Sequence, residues 1–129
     1  MQYSINATHR VLGRIASEVA NILRGKNNPA FDPSRVGGDT VVVYHTDKLR
    51  ATGRKMTQKS YYHHSGFPGG IREEKLGHLM ARDSRLVLKR AVMGMLPKNK
   101  LREKMIKQLI LIKGESNERV LPANLRVGR

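Results

Sequence analysis

The sequence predicts a single α/β domain, and three observations support that prediction. Residues 11–23 have the apolar spacing of an amphipathic helix, and residues 40–44 (TVVVY) form a continuous, mostly β-branched run after it. A strand without polar alternation is typical of a parallel sheet that is covered on both faces. The length of 129 residues suits one domain with a modest core, and the sequence contains no internal repeat.

The first elements predict a β-α-β unit. Residues 3–7 are a short strand candidate, and Thr8 is placed to cap the helix that follows. Gly25 and Pro29 end that helix, and residues 31–39 form a loop containing glycine and proline. Strand, helix and buried strand in this order imply a right-handed crossover. The apolar stripe of the helix consists of Val11, Leu12, Ile15, Val19, Ile22 and Leu23.

The chain continues with a long basic segment, residues 48–72, which has six basic residues and no acidic one. It lacks a sustained apolar period, so we expect a long loop or a loop with short strands, and loops of this length are usually functional or disordered. Apolar spacing then predicts helices over residues 73–81 and 85–96, the second of which is stopped by a proline. Residues 98–107 predict a basic amphipathic helix or turn, and residues 109–112 (LILI) predict a further buried strand.

The composition indicates a polyanionic partner. Lys and Arg total 25 against 10 for Asp and Glu, which gives a formal net charge of +15. Nucleic acid is the first candidate, because phosphate neutralisation dominates its affinity, and an anionic membrane surface is the second. The chain has four Tyr, two Phe and no Trp, so stacking on successive bases is disfavoured. Structured RNA contacted through its backbone and shape fits better.

Several classes of protein are excluded. The chain has no cysteine, so disulfides, thiolate zinc sites and cysteine nucleophiles are absent, which suits an intracellular protein. The N-terminal residues lack the pattern of a signal peptide, and no apolar stretch approaches membrane-spanning length. No glycine-rich dinucleotide motif or Walker-type lysine is present, so a nucleotide-binding enzyme receives little support.

The most unusual stretch is YYHHSGFPGG, residues 61–70. Its adjacent histidines, His63 and His64, would point to opposite faces of a strand, so they do not easily share a metal ion. Ser65 follows His64 but lacks the Gly-x-Ser-x-Gly elbow of hydrolases, and the acids of the chain are mostly isolated. We therefore predict no metal, no cofactor, no catalytic residue and no small-molecule substrate. A small hydrolase that uses His64 and Ser65 is the competing hypothesis.

The same stretch has the features of an RNA-binding loop. Its glycines permit positive φ and close approach of the backbone, and their exposed N–H groups can form a concavity for phosphate. Lys59 and Arg72 flank the loop, and its histidines can donate to phosphate. For Tyr61, Tyr62 and Phe67, two roles stay open, which are stacking on an unpaired base or ribose and pinning the loop to the core.

We predict RNA contacts in two segments, residues 48–72 with their glycine-rich loop and the basic run at residues 98–104. A charge run is often only a solvated helix face, but the charge of the whole chain favours phosphate contact. The predicted RNA-binding residues are Lys48, Arg50, Arg54, Lys55, Lys59, Tyr61, His63, His64, Ser65, Gly66, Phe67, Gly69, Gly70, Arg72, Lys98, Asn99, Lys100, Arg102 and Lys104.

Three motifs occur together in the chain, VLGRIASEVANILRGK (residues 11–26), YYHHSGFPGG (residues 61–70) and AVMGMLPKNKL (residues 91–101). With these motifs in order over residues 3–114, the sequence resembles the bacterial form of the thirteenth large-subunit ribosomal protein family. The resemblance implies a structural ribosomal protein without enzymatic activity, located in the cytoplasm in the ribosome. It also implies a three-layer α/β/α domain around a small, mostly parallel sheet of about four strands.

The resemblance further implies binding to large-subunit ribosomal RNA early in assembly, with neighbouring large-subunit ribosomal proteins as partners. The motifs expected to face RNA are residues 63–70 and 98–104. The family's usual C-terminal ending is not recognisable here, so we expect residues 1–114 to form the domain and residues 115–129 an irregular basic tail. A regulatory role on a messenger RNA stays open, since the sequence does not separate it from ribosomal RNA binding.

Overall fold

The computed structural model of the protein describes residues 1–114, which form five strands and five helices. The strands are β1 (Gln2–Asn6), β2 (Thr40–Tyr44), β3 (Ser60–His64), β4 (Ile71–Lys75) and β5 (Leu109–Leu111). The helices are α1 (Leu12–Arg24), α2 (Lys55–Gln58), α3 (Leu76–Arg82), α4 (Ser84–Met95) and α5 (Leu101–Lys107), and a short 3-10 helix spans Thr46–Lys48. The predicted α/β class is confirmed, and the predicted tail lies outside the described residues.

Strands β1, β2 and β5 form a parallel sheet with β2 in the centre. In its register, Val43 of β2 lies between Ile5 of β1 and Leu111 of β5. The three valines of β2 are buried, which confirms the parallel strand predicted from the run TVVVY. This sheet has three strands rather than about four, because β3 and β4 pair with each other as a separate antiparallel hairpin.

The connections across the sheet step in one direction, from β1 to β2 and from β2 to β5. Right-handed crossovers that step in one direction place their helices on the same face of a sheet. Accordingly, the buried residues of α1, α3, α4 and α5 join Val41 and Val43 in one main core cluster. On the opposite face, Val42 packs with Ile112. Residues 1–114 therefore supply the sheet and one helical layer of the expected three-layer arrangement.

Helix α1 has the predicted apolar stripe but begins later than predicted. Thr8 is not its cap, because its hydroxyl bonds to the side-chain oxygen of Asn6 at 2.7 Å in the turn that leaves β1. The cap position is Val11, which makes no side-chain capping bond. The end is as predicted, since Gly25 has a φ of 80° and its N–H donates to the Ile22 carbonyl at 2.9 Å. Five of the six predicted stripe residues are buried, and Val11 is half-buried.

Of the two forms predicted for the segment 48–72, the loop with short strands is confirmed, since it contains β3 and the start of β4, and it also contains the short helix α2. The helix predicted for residues 73–81 begins only at Leu76, because residues 73–75 extend β4 by pairing with β3. The Leu76 N–H donates to the Lys59 carbonyl at 2.9 Å, so the base of the hairpin is joined to the start of α3.

Helix α4 confirms the helix predicted for residues 85–96 and is fixed at its start by polar contacts. Asp83 accepts bonds from the Arg85 backbone N–H at 3.1 Å and guanidinium at 3.0 Å, and these bonds lower the pKa of the Asp83 carboxyl. The hydroxyls of Ser84 and Thr46 lie 2.9 Å apart in the interior and join α4 to the exit of β2. The start of helix α4 is therefore fixed against the exit of β2.

Candidate nucleic-acid interface

The β3–β4 hairpin carries the glycine-rich loop at its tip. Tyr61 lies opposite Glu74 and His63 opposite Arg72, so these four side chains share one face of the hairpin. His64 lies on the other face, so the two histidines point in opposite directions, as predicted, and both are exposed. In residues 1–114, no three His, Cys, Asp or Glu side chains are grouped so that they could hold a metal ion.

Tyr61 holds the hairpin against the body of the protein. Its ring is half-buried and packs against the main core cluster. The guanidinium carbon of Arg90, on α4, lies 5.0 Å from the centroid of this ring, and the ammonium of Lys59 lies 5.6 Å from it. Burial raises the pKa of the Tyr61 hydroxyl, and the positive charge of Arg90 acts in the opposite direction. The sequence left two roles open for Tyr61. Its environment supports the role in which the ring holds the loop to the core.

Tyr62 and Phe67 have the opposite environment, since their side chains are 67% and 74% exposed. Ile71, opposite His64 in the hairpin, is 63% exposed. Side chains alternate along a strand, so Tyr62 faces away from Tyr61 and the core. The rings of Tyr62 and Phe67 are free to stack on a base. Tyr62 is absent from the RNA-binding residues predicted above, and the alternation of two neighbouring tyrosines is the sequence signal that points to it.

The loop at residues 65–70 closes on itself. The Ser65 N–H donates to the Gly70 carbonyl at 3.0 Å, and the Gly70 N–H donates to the Phe67 carbonyl at 2.9 Å. Gly66 and Gly69 have φ values of 87° and 70°, a region that glycine occupies without strain. The loop therefore requires its glycines for the geometry of the turn.

The predicted concavity of exposed glycine N–H groups is wrong for two of the three glycines. The Gly66 N–H donates to Nδ1 of His64 at 2.9 Å, and the Gly70 N–H is bonded to the Phe67 carbonyl. In a short loop between two paired strands, many of the backbone N–H and C=O groups form hydrogen bonds within the loop itself. Among residues 1–114, only Gly69 of these three has an N–H without a partner. Contact with an anion here therefore depends mainly on side chains.

Replacing Gly70 by Ala is expected to lower the free energy of unfolding by about 1–2 kcal/mol. A Cβ at this position would clash with the Ser65 hydroxyl and would lie 2.9 Å from the Phe67 carbonyl oxygen. Urea denaturation measures the loss, and amide hydrogen exchange should show faster exchange at Ser65 and residue 70. Gly38→Ala is the control, because a Cβ there meets no atom of the part of the chain that the structure describes within 4 Å. Equal behaviour of the two variants would contradict the packing described for the loop.

Five predicted cations lie on and around helix α2. Lys48 ends the 3-10 helix, and Arg50 is fixed through its carbonyl, which accepts a backbone bond from the start of α1 at 2.8 Å. Arg54 precedes α2, Lys55 begins it and Lys59 follows it. All five side chains are exposed, and α2 has no buried residue. This short helix therefore displays positive charge at the surface.

The second predicted segment, residues 98–104, lies in the turn between α4 and α5 and on α5. Asn99 shapes the turn, because its side-chain oxygen accepts the Leu101 N–H at 3.0 Å. Lys98, Lys100 and Lys104 are exposed, while Arg102, also predicted, is half-buried. The predicted amphipathic helix is confirmed as α5, with Met105 buried. Within residues 1–114, no hydrogen bond or salt bridge joins this segment to the 48–72 segment, and we refer to the two segments as two basic patches.

The distribution of ion pairs leaves both patches positive. Six of the acids in residues 1–114 form salt bridges, and their partners lie outside the predicted RNA-binding residues. Glu73, for example, pairs with Lys75 at 3.0 Å, and the Ser60 hydroxyl together with Lys75 lowers the pKa of its carboxyl. None of the ten predicted Lys and Arg side chains forms a salt bridge with another described residue.

Arg90 was missed by the sequence analysis. It is exposed on α4, forms no salt bridge within the described residues and lies over Tyr61 with Lys59. The apolar spacing of residues 85–96 predicted a helix, but nothing in that sequence connected Arg90 with the loop. Their proximity is a product of the tertiary fold.

None of the helices in the described part of the chain has the length and apolar character needed to span a bilayer. The family model of ribosomal protein L13 matches residues 1–118 of the sequence. The chain belongs to the ribosomal protein L13 family. It is thus a structural constituent of the ribosome in the cytoplasm and not an enzyme, as the resemblance implied.

Individual members of the L13 family are similar over most of their length. The large ribosomal subunit protein uL13 of Pelobacter propionicus is 50% identical over 115 residues, which are 89% of this chain and 81% of the relative. The protein of the same name from Citrifermentans bemidjiense is 45% identical over 127 residues, which are 97% of this chain and 89% of the relative. That of Paraburkholderia phytofirmans is 52% identical over 107 residues, covering 83% of this chain and 75% of the relative.

Proposed function

We propose that the protein binds ribosomal RNA of the large subunit through its two basic patches and its hairpin. In this role it supports early assembly of the subunit and translation, with neighbouring large-subunit ribosomal proteins as further partners. Its relatives are named large ribosomal subunit proteins, which supports the choice of subunit. The competing hydrolase hypothesis has no support from the hairpin, where no hydrogen bond within the described residues joins the Ser65 hydroxyl to a histidine and His64 Nδ1 accepts the Gly66 N–H.

The observation that favours RNA is that, among the described residues, the paired acids bind cations outside the predicted segments, so the cations within those segments keep their charge unpaired. Ten exposed or half-buried cations in the predicted segments form no salt bridge with a described acid, although six acids are paired elsewhere. Unpaired cations on one protein repel each other, and a partner with regularly spaced phosphates relieves that repulsion. Such contacts fix the position of the protein on RNA without selecting a sequence.

The hairpin contributes a different kind of contact. The exposed rings of Tyr62 and Phe67 offer flat surfaces, and Tyr62 shares its face of the hairpin with His64. Unpaired bases in loops and bulges stack on such rings, whereas paired bases in a helix do not. We therefore propose that the patches contact the RNA backbone and that the hairpin tip contacts an irregular part of the RNA.

Salt dependence of binding tests this function. If six to ten of the cations neutralise phosphates, the affinity for ribosomal RNA should fall by a factor of about 10³–10⁵ between 50 and 200 mM salt. Filter binding or fluorescence anisotropy with large-subunit ribosomal RNA measures this, and random duplex RNA of equal length is the comparison. A flat salt dependence, or equal affinity for both RNAs, would contradict the proposal. Sedimentation with large subunits after a high-salt wash is the corresponding test on assembled particles.

A further inference from the structure

A groove of about 390 Å³ opens between α1, α2 and α4, beside the base of the hairpin. Gly13 lines it from α1, Lys55 from α2, and Arg90 and Gly94 from α4, while Lys59 lies at the side that leads to Tyr61. Its volume lies in the range in which proteins hold small organic groups, about 300–1,000 Å³. The groove is therefore large enough for one nucleotide.

One side of the groove is strongly cationic. Lys55, Lys59 and Arg90 line it, no Asp or Glu does, and none of the three forms a salt bridge within residues 1–114. The Tyr61 ring draws Lys59 and Arg90 to within 5.6 and 5.0 Å of one centroid. Lys59 and Arg90 therefore both carry positive charge beside this ring and into the lining of the groove, and a bound anion would be attracted by each of them. The cationic side is thus arranged for a phosphate.

The rest of the groove is apolar and open. Ala51, Leu76, Ala91 and Met95 contribute apolar surface to its lining. Gly13 and Gly94 enter the lining from two different helices, and a Cβ built on either meets no atom of the described residues within 4 Å. A free inorganic phosphate would have no use for this apolar surface. A phosphate that carries a flat, weakly polar ring would use both parts of the groove.

We propose that this groove receives a single unpaired nucleotide of the bound RNA. The phosphate lies against Lys55, Lys59 and Arg90, and the base lies on the apolar surface beside Ala91 and Met95. The inference rests on the proposed function, because the RNA supplies the nucleotide. A free nucleotide has the same chemistry, so the test distinguishes the two sources.

The test compares two RNA probes at about 0.1 M salt, where backbone contacts are still strong. One is a duplex with a single unpaired adenosine at its centre, and the other is the same duplex without it. The wild-type protein is expected to favour the first by about tenfold, because one base face leaves water. Gly94→Leu is expected to abolish this preference while the affinity for the regular duplex stays unchanged. Gly13→Leu, from the facing helix, should act in the same way.

Folding is controlled within the same experiment. Leu favours a helix over Gly, so Gly94→Leu should unfold at the same or a higher temperature than wild type. Gly38→Leu adds the same side chain in a loop outside the groove and should retain the preference, since a Cβ there also meets no atom of residues 1–114 within 4 Å. A preference that survives both groove variants, or no preference in the wild type, would overturn the inference.

The remaining outcomes separate the inference from the proposed function. Equal and strongly salt-dependent binding of both probes would overturn only the nucleotide groove. Weak, salt-independent binding of both would count against RNA binding altogether. Free 5′-AMP is added in a third arm, and it should fail to match the affinity of the RNA that carries the unpaired adenosine. If AMP alone binds as tightly and loses binding in Gly94→Leu, the groove serves free nucleotides and the assignment to RNA is wrong.

Discussion

Replacing Leu79 by Ala is expected to lower the free energy of unfolding by about 2–5 kcal/mol, out of about 5–15 kcal/mol for a typical domain. Leu79 is 0% exposed and belongs to the main core cluster. Its helix, α3, has seven residues, which is too short to be stable in water without tertiary packing. Loss of this side chain therefore removes both core volume and one of the two buried side chains that hold α3. Urea denaturation followed by circular dichroism measures the change.

Leu79→Ala should also weaken the contact between α3 and the base of the hairpin. The Leu76 N–H at the start of α3 donates to the Lys59 carbonyl at the start of the hairpin, at 2.9 Å. A loosened α3 should therefore speed amide exchange at residue 76 in the native state. Ile71→Ala is the control, because it removes a side chain of similar size that is 63% exposed, and a loss within about 0.5 kcal/mol is expected there. A loss below about 1 kcal/mol in Leu79→Ala would contradict the core assignment.

The elements that could be predicted from the sequence are those whose pattern is local. The run TVVVY has no polar alternation, and the structure places it at the centre of the parallel sheet. The stripe of α1 follows from spacings of three and four, and its buried residues include Ile15, Val19 and Leu23. In each case the residues that determine the element lie next to it in the chain.

Strand β4 could not be predicted, because its cause is not local. Its sequence, IREEK, has little apolar character, and the leucines that follow made residues 73–81 resemble one helix. Pairing with β3 provides hydrogen-bond partners for the backbone of residues 73–75, so these residues are a strand and the helix begins only at Leu76. The turn between the strands was treated as a loop with free N–H groups for the same reason. Its closing bonds, such as that from Ser65 to Gly70, form only once the strands are paired.

The difference between Tyr61 and Tyr62 illustrates what the sequence leaves undecided at the candidate site. Alternation shows that the two rings face opposite ways on a strand, but it does not show which of them faces the core. That choice depends on α4, which places Arg90 over Tyr61 and leaves Tyr62 exposed. The predicted list of RNA contacts therefore included the anchoring tyrosine and omitted the exposed one.

Replacing Lys98, Lys100 and Lys104 together by Gln is expected to weaken RNA binding by roughly two to three orders of magnitude near 0.1 M salt. The three ammonium groups are exposed and form no salt bridge with a described acid. Each phosphate that a lysine neutralises releases about 0.9 counterion, so the slope of log affinity against log salt should fall by about 3. Anisotropy titrations with large-subunit ribosomal RNA at several salt concentrations measure both quantities. Stability should change by less than about 0.5 kcal/mol, because no packing is lost.

The matched control for this patch removes the same charge elsewhere. Lys26, Lys89 and Lys113 are also exposed, form no salt bridge with a described acid and lie outside the predicted RNA-binding residues. Their triple replacement by Gln lowers the net charge equally, so it reports the effect of overall charge on attraction to RNA. If the two triple variants weaken binding to the same extent, affinity follows the total charge of the protein. A much larger loss in the first variant would assign direct phosphate contacts to the turn that Asn99 shapes and to helix α5.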